Sequence, residues 1–242
     1  MLKKFGSSKI KIQKDIQDFA TDADLASEKL IIQQIRQNFP ASQIIAEESY
    51  AEEPPQKKGL TWIIDPLDGT KNFHRGLPSW NVSIACQQDG QTILGVIYVP
   101  LTRELFVAQK GQGSFRNQRK IQVSPQADFT QSLTLIGLPR AAARQKSNCQ
   151  ILLKKVLPEA GRIRIYGAAA LELAYVASGA ADSYLDFSQT TKIWDIAAGE
   201  LLVREAGGRV VRLNSAAKNF PNASVLASNK KLFPQLKKLY AS

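Results

Sequence analysis

Trp62-Ile63-Ile64-Asp65-Pro66-Leu67-Asp68-Gly69-Thr70-Lys71-Asn72-Phe73 is the stretch on which the reading of this chain turns. The run Leu60-Thr61-Trp62-Ile63-Ile64 consists of β-formers and reads as a strand ending at Asp65. Two carboxylates three residues apart follow it, Pro66 stiffens the turn between them, and Gly69 permits a tight backbone. A hard divalent cation takes oxygen ligands, and Asp65, Asp68 and the Leu67 carbonyl offer three of them from one turn. A helix starting at Gly69 or Thr70 would turn unpaired N–H groups toward an anion beside them. Just upstream, Gln43-Ile44-Ile45-Ala46 reads as a second short strand, followed by Glu47-Glu48. Each piece has a plainer reading, because Asp-Gly is a common turn and Asp65 could merely cap. Together they put acids at the ends of two strands on one sheet edge, where open α/β sheets place their sites. Metal plus anion at a strand end is the layout of phosphoryl transfer.

Outward from this stretch, the 242 residues are 44% hydrophobic and 22% charged, an ordinary globular balance that excludes disordered, collagenous and disulfide-scaffold classes. Two cysteines, Cys86 and Cys149, make neither a disulfide framework nor a four-ligand zinc site, and a single histidine, His74, excludes zincin motifs. There is no apolar run long enough for a signal peptide or a membrane span, so a reduced, cytoplasmic protein is expected. The net charge of +11 invites a nucleic-acid reading, but the charge is unevenly placed. Residues 1–14 carry five lysines and no acid, residues 15–68 eleven acids against four bases, and the remainder is basic again. The basic arm Lys3, Lys4, Lys9, Lys11 and Lys14 could touch phosphates, yet no aromatic-interleaved basic motif suggests base stacking.

Apolar spacing from Leu25 to Phe39 predicts a helix over Asp24–Phe39 that Pro40 stops, and Pro54-Pro55-Gln56-Lys57-Lys58-Gly59 reads as a loop. A meander of strands follows, over Val82–Ala85, Ile93–Tyr98, Glu104–Ala108 and Gly113–Phe115, with Asp89-Gly90 as a turn. The second half alternates strands at Leu133–Ile136, Arg162–Ile165, Asp182–Phe187, Arg209–Val211 and Ser224–Ala227 with helices at Asn148–Leu157, Ala168–Ala177, Asp195–Ala206 and from Asn229. This predicts an N-terminal α+β half, residues 1–128, and a C-terminal α/β half, residues 129–242. Trp194 reads chiefly as a core residue and Asp195 as an N-cap, a position that a ligand can share.

Ile45-Ala46-Glu47-Glu48-Ser49, the Trp62–Thr70 stretch and Ile193-Trp194-Asp195-Ile196-Ala197-Ala198-Gly199 resemble the three signature blocks of the inositol monophosphatase family, relatives of fructose-1,6-bisphosphatase. Asp18–Asp24 resembles the family's upstream block and Glu205–Gly208 its downstream one. The resemblance implies a layered α/β fold, a five-layer α-β-α-β-α sandwich of the sugar phosphatase type. It implies a magnesium-dependent, lithium-sensitive phosphomonoesterase, with two or three Mg2+ ions and a homodimer. Glu47, Asp65 and the Leu67 carbonyl would hold one ion, Asp65, Asp68 and Asp195 a second, and Glu47 with Asp24 a third through water. Gly69 and Thr70 would cradle the phosphate, while Thr70, paired with Asp24, and Glu47 would position or deprotonate the attacking water. Asp186 and Asp195 would meet the substrate's alcohol half.

The chain departs from the family in several places. Only some twenty residues precede Asp24, so the family's further N-terminal helix is expected to be missing or shortened. Lys14 stands near the family's mobile lysine or is a solvated member of the basic arm. Where inositol-selective members carry glutamate this chain has Ser188, with Asp186 the nearest acid in a lengthened segment, and Ile165 stands where a hydroxyl often meets inositol. Lys71 after Thr70 resembles nucleotide- and histidinol-phosphate-directed relatives. The expected substrate is inositol monophosphate or a related small sugar phosphate, fructose 1,6-bisphosphate included. The alternatives are a 3′(2′),5′-bisphosphate nucleotidase, a histidinol-phosphate phosphatase, and, as a different class, a nucleic-acid or transcription-complex binding protein. Haloacid-dehalogenase phosphatases need two aspartates two apart, not three, and cysteine phosphatases need an arginine six residues after the cysteine, where Thr92 and Lys155 stand. His74-Arg75-Gly76 has the wrong order for a histidine phosphatase and reads as a loop.

Overall fold

The computed structural model describes residues 1–16, 18–50, 58–138, 150–188, 190–213 and 224–241. Most of the predicted Pro54–Gly59 loop, Asn148 and Cys149 at the start of a predicted helix, and Gln189 lie outside these.

Two sheets organise the chain. The first has seven strands in sequence order: β3 (Gln43–Ala46), β4 (Leu60–Asp68), β5 (Asn81–Gln88), β6 (Gln91–Val99), β7 (Glu104–Gln109), β8 (Gly113–Arg116) and β9 (Arg119–Ile121). Only β3 and β4 are parallel; the others form an antiparallel meander. The predicted β5–β6 turn forms at Asp89 and Gly90, both at positive φ, which suits a two-residue hairpin. The second sheet is built from β10 (Leu133–Gly137), β11 (Arg162–Arg164), β12 (Ser183–Asp186), β13 (Arg209–Leu213) and β14 (Ser224–Ser228), ordered β11-β10-β12-β14-β13.

Helices fill the layers. α1 (Asp22–Asn38) packs Ile31, Ile32 and Ile35 on the outer face of the first sheet against Ile44, Trp62 and Ile64. Its N-terminus is a capping box: Thr21 accepts from the Ala23 N–H, and Asp24 accepts from the Thr21 N–H at 2.9 Å. The five-residue α2 (Thr70–His74) follows the acidic turn. α3 (Ala169–Ala177) and α4 (Ile193–Glu205) lie between the sheets and are apolar nearly all round, as helices buried on both sides must be. α5 (Phe233–Ala241) and a π-helical turn at Leu152–Val156 cover the outer face of the second sheet through Phe233, Leu236, Leu152 and Val156. The order is helix, sheet, helix, sheet, helix, the five-layer sandwich expected. Among the described residues no helix is long and apolar enough to cross a membrane.

Several expectations need correction. The basic arm, solvated as its charge suggests, has a fold of its own: after a short turn at Leu2–Lys4 it forms the hairpin of β1 (Ile10–Asp15) and β2 (Asp18–Thr21). β4 does not stop at Asp65 but runs to Asp68, with a register irregularity between Asp65 and Asp68 that absorbs Pro66, whose ring has no N–H for the ladder. β9 was not foreseen, and the last helix begins at Phe233, because the Asn229 side chain caps the preceding turn by accepting from Lys231 and Leu232 N–H. Asp195 is not the N-cap of α4; Lys192 is, and Asp195 sits three residues inside, accepting from the Lys192 N–H at 2.6 Å. Trp194 is a core residue, 8% exposed, edge-on to Tyr50 at 5.1 Å.

α4 approaches the first sheet closely because small residues meet there. A Cβ placed on Gly95 of β6 would lie 2.7 Å from the Ala198 carbonyl oxygen and 3.0 Å from its Cα, both backbone atoms that cannot swing aside. Gly95→Ala should therefore push α4 off the sheet and lower stability by about 1–3 kcal/mol. Chemical denaturation checks this, and an unchanged midpoint would contradict the packing described.

Candidate functional site

The acids are gathered by strand register. In the parallel pair Ala46 is level with Ile64, and the Glu47 N–H donates to the Ile64 carbonyl at 3.1 Å, so Glu47 leaves β3 beside Asp65. The Pro66 carbonyl is held by the Ser27 hydroxyl of α1 at 2.9 Å, and the Leu67 N–H donates to Asp65 at 3.0 Å. Past the irregularity Asp68 faces Asn81 of β5, whose side-chain amide donates to Asp68 Oδ2 at 2.7 Å; the Ala170 N–H at the start of α3 donates to the same oxygen at 2.9 Å. The start of α4 delivers Asp195 from the other end of the chain.

These residues line a cavity of about 250 Å³. Glu47, Asp65, Leu67, Asp68 and Asp195 form its acidic side, and Gly69, Thr70 and Lys71 the start of α2. Gly137, Glu172, Tyr184, Asp186, Ser188, Thr190 and Thr191 line the opposite wall. Gly69 has φ +88°, and a Cβ there would stand 2.7 Å from the Ser79 carbonyl oxygen, so only glycine fits this approach. Asp24 is fully buried and does not line the cavity; it lies behind Thr70, whose hydroxyl is 2.9 Å from Asp24 Oδ1 and 3.0 Å from the Leu67 carbonyl. One hydroxyl has one proton, and the carboxylate is the stronger acceptor. Asp186 is buried and accepts from the Ser188 N–H at 2.8 Å and from the Thr191 hydroxyl. Ile165 is 53% exposed and outside the cavity lining.

Burial and mutual repulsion mark the electrostatics. Burial, then the charges of Glu47, Asp68 and Asp195, hold the Asp65 carboxyl well above the usual range. Burial pushes Asp68 up to about 6, against the pull of Asn81 and Ala170, and burial with Glu47 beside it takes Glu48 to about 7. Lys14 is the partial remedy: its ammonium lies 2.8 Å from Glu47 and 2.9 Å from Glu48. Burial works to lower Lys14, but the two glutamates outweigh it and hold the ammonium above its ordinary range. Lys14 thus remains on the exposed strand β1 while its ammonium is paired with both glutamates.

Among the described residues no three carboxylate, thiol or imidazole side chains stand close enough together to hold one metal ion. Their partners give the reason: Glu47 turns to Lys14, Asp68 to Asn81 and Ala170, and Asp195 to the Lys192 N–H. The chemistry of the donor set nevertheless suits a hard cation, being all oxygen and more negative than the protein's own donors neutralise.

Residues 2–241 match the inositol monophosphatase family. The chain belongs to that family. It is 38% identical to the Nus factor SuhB of Pasteurella multocida over 223 residues, 92% of this chain and 82% of that protein. The extragenic suppressor protein suhB of Bartonella henselae is 34% identical with a TM-score of 0.85, covering 96% of this chain and 88% of that one. The Thermotoga maritima IMPase is 31% identical, also at 0.85, over 98% and 89%.

Sequence reasoning missed Asp18, Asn81, Glu172 and Tyr184. Glu172 left a signal, a lone acid in the otherwise apolar run Ala168–Ala177; it is 1% exposed and accepts from the Tyr166 N–H at 2.9 Å. Asn81 left none, since it sits in a run of ordinary strand residues.

The raised carboxyls carry a signed consequence. Asp68 and Glu48 keep protons to about pH 6 and 7, where the unfolded chain has released them near pH 4, so the ion-free fold binds more protons than the unfolded chain in that window. Its stability should fall as pH rises from about 5 to 7.5. Thermal melts in EDTA check this, and a melting temperature that climbs over the same interval would contradict it.

Proposed function

We propose that this chain is a magnesium-dependent phosphomonoesterase that hydrolyses inositol monophosphate or a related small sugar phosphate. The observation that supports this most is the union, on one cavity wall, of excess buried oxygen donors and the Gly69–Thr70 helix start. A pocket that acidic repels a phosphate ester unless cations share it. Glu47, Asp65 and the Leu67 carbonyl would hold one ion, Asp65, Asp68 and Asp195 a second, and Glu47 with Asp24 a third through water. Bound there, Mg2+ would supply an activated water and neutralise charge on the phosphate and leaving oxygen. Inhibition by lithium belongs to the same reading.

The chain's own residues do the rest. The Gly69 and Thr70 N–H groups hold phosphate oxygens in place. The Thr70 hydroxyl, donating to Asp24, keeps its lone pairs for the attacking water and orients it; Glu47 lies within the same cluster to take its proton. Lys14 must release Glu47 before that carboxylate can serve a cation. Asp186 and Asp195 accept hydroxyls of the alcohol half, and the Ser188–Lys192 segment sets breadth. In this division residues 1–128 carry the metal and phosphate loop, and residues 129–242 contribute Asp195 and selectivity.

A second reading, binding to a transcription complex, is favoured by one observation: the Pasteurella multocida relative is named a Nus factor. The two readings separate in one variant. Asp68→Asn should cut turnover by about a hundredfold or more, since a metal site contributes several kcal/mol to the transition state. Assays run with magnesium or EDTA on inositol 1-phosphate, fructose 1,6-bisphosphate, adenosine 3′,5′-bisphosphate, NADP and histidinol phosphate test it. Turnover of several sugar phosphates, lost in EDTA and in Asp68→Asn, is expected. An active Asp68→Asn protein overturns the site assignment, and a wild type inert on every ester favours the second reading.

A further inference from the structure

Asp68 is held by donors from two different elements. Oδ2 accepts from Asn81 Nδ2 at 2.7 Å and from the Ala170 N–H at 2.9 Å, and the Leu171 N–H also draws on the carboxyl. The Asn81 amide has no choice of orientation there, because a carboxylate only accepts. One donor comes from β5 and the other from the start of α3, so the carboxyl is tied to both elements.

The residue type at position 81 is informative. Asn81 is fully buried, and its other amide atom, Oδ1, has no hydrogen-bond partner among the described residues. A buried carbonyl oxygen without a donor destabilises the fold, so an apolar residue would serve stability better at this place. An arginine or lysine would hold Asp68 more strongly but would cancel its charge. An uncharged amide is the donor that orients the carboxylate and leaves its charge available.

Resting on the metal-dependent reading of the cavity, we propose that Asn81 is a positioning residue, which with the Ala170 N–H locks Asp68 through Oδ2 and so fixes the orientation in which its carboxylate meets a divalent cation.

The test is calorimetric titration of the metal-free protein with Mn2+, paired with the magnesium dependence of phosphate-ester hydrolysis. Asn81→Val removes both the donor and the orphaned carbonyl oxygen. It should melt no lower than wild type, yet bind Mn2+ about tenfold or more weakly, in the range that loss of a ligand-orienting hydrogen bond produces. The magnesium concentration for half-maximal activity should rise by the same factor, with a smaller change in kcat at saturating metal. Gln87→Leu is the control: it removes a buried amide from the far end of β5 that bonds Thr92 at 3.2 Å, and should leave Mn2+ affinity unchanged. If Asn81→Val does not fold, Asn81→Ala is measured in its place with the same expectation. A folded variant with wild-type affinity, or an equal loss in Gln87→Leu, overturns the proposal. A wild type that binds no Mn2+ overturns the metal-dependent reading itself, and is thereby told apart from failure of Asn81's role alone.

Discussion

Glu47 beside Asp65, just past the last paired residues of two parallel strands, is the arrangement on which the rest of this structure depends. Register alone puts the pair together: Ala46 is level with Ile64, so the next residue of each strand must be a neighbour. With Asp68 two residues beyond Pro66 and Asp195 brought to the same side of the cavity, the fold concentrates like charges where burial makes each more costly. Much nearby structure makes sense as containment of that repulsion. Ser27 pins the Pro66 carbonyl, Asn81 and Ala170 steady Asp68, and Lys14 neutralises Glu47 and Glu48 from the hairpin. The small-residue contact between Gly95 and Ala198 works the other way, since it lets α4 bring Asp195 close to the acids of β4.

The parts of this molecule that announce themselves in sequence are those with a buried face. Leu60–Ile64, the meander, and the alternation after Leu133 are legible because apolar periodicity reports burial, and the three signature blocks single out Glu47, Asp65, Asp68 and Asp195. The hairpin is not legible for the converse reason: every residue of Ile10–Asp15 is exposed, so Ile-Lys-Ile-Gln-Lys has no inner face to set its pattern, and the lysines read only as a basic arm. Asp195 was misplaced by the ordinary ambiguity of helix starts, where an acid three residues in can resemble a cap. β4's passage through Pro66 depends on an irregular register that only the partner strand reveals. Asn81 acts through a contact thirteen residues away in sequence that no local pattern encodes, whereas Glu172 shows only as a lone acid in an apolar run.

Charge distribution ties the site to its surroundings. The net +11 of the chain surrounds an acidic cavity, which fits attraction of anionic esters toward a pocket where cations neutralise the acids. The opposite wall differs in character: Asp186 and Glu172 are buried acceptors, each held by backbone N–H groups, and Thr190 and Thr191 add hydroxyls. Asp186 and Ser188 both line the cavity there, and the Ser188 N–H donates to Asp186.

The central claim is that this carboxylate cluster is completed by cations, and diffraction tests it most directly. Crystals grown with manganese, measured on both sides of its absorption edge, should show anomalous peaks in the cavity bonded to Asp65, with Glu47, Asp68 and Asp195 as further ligands, and the Lys14 ammonium drawn off Glu47. A cavity without an anomalous peak, with Lys14 still bridging Glu47 and Glu48, would contradict the account.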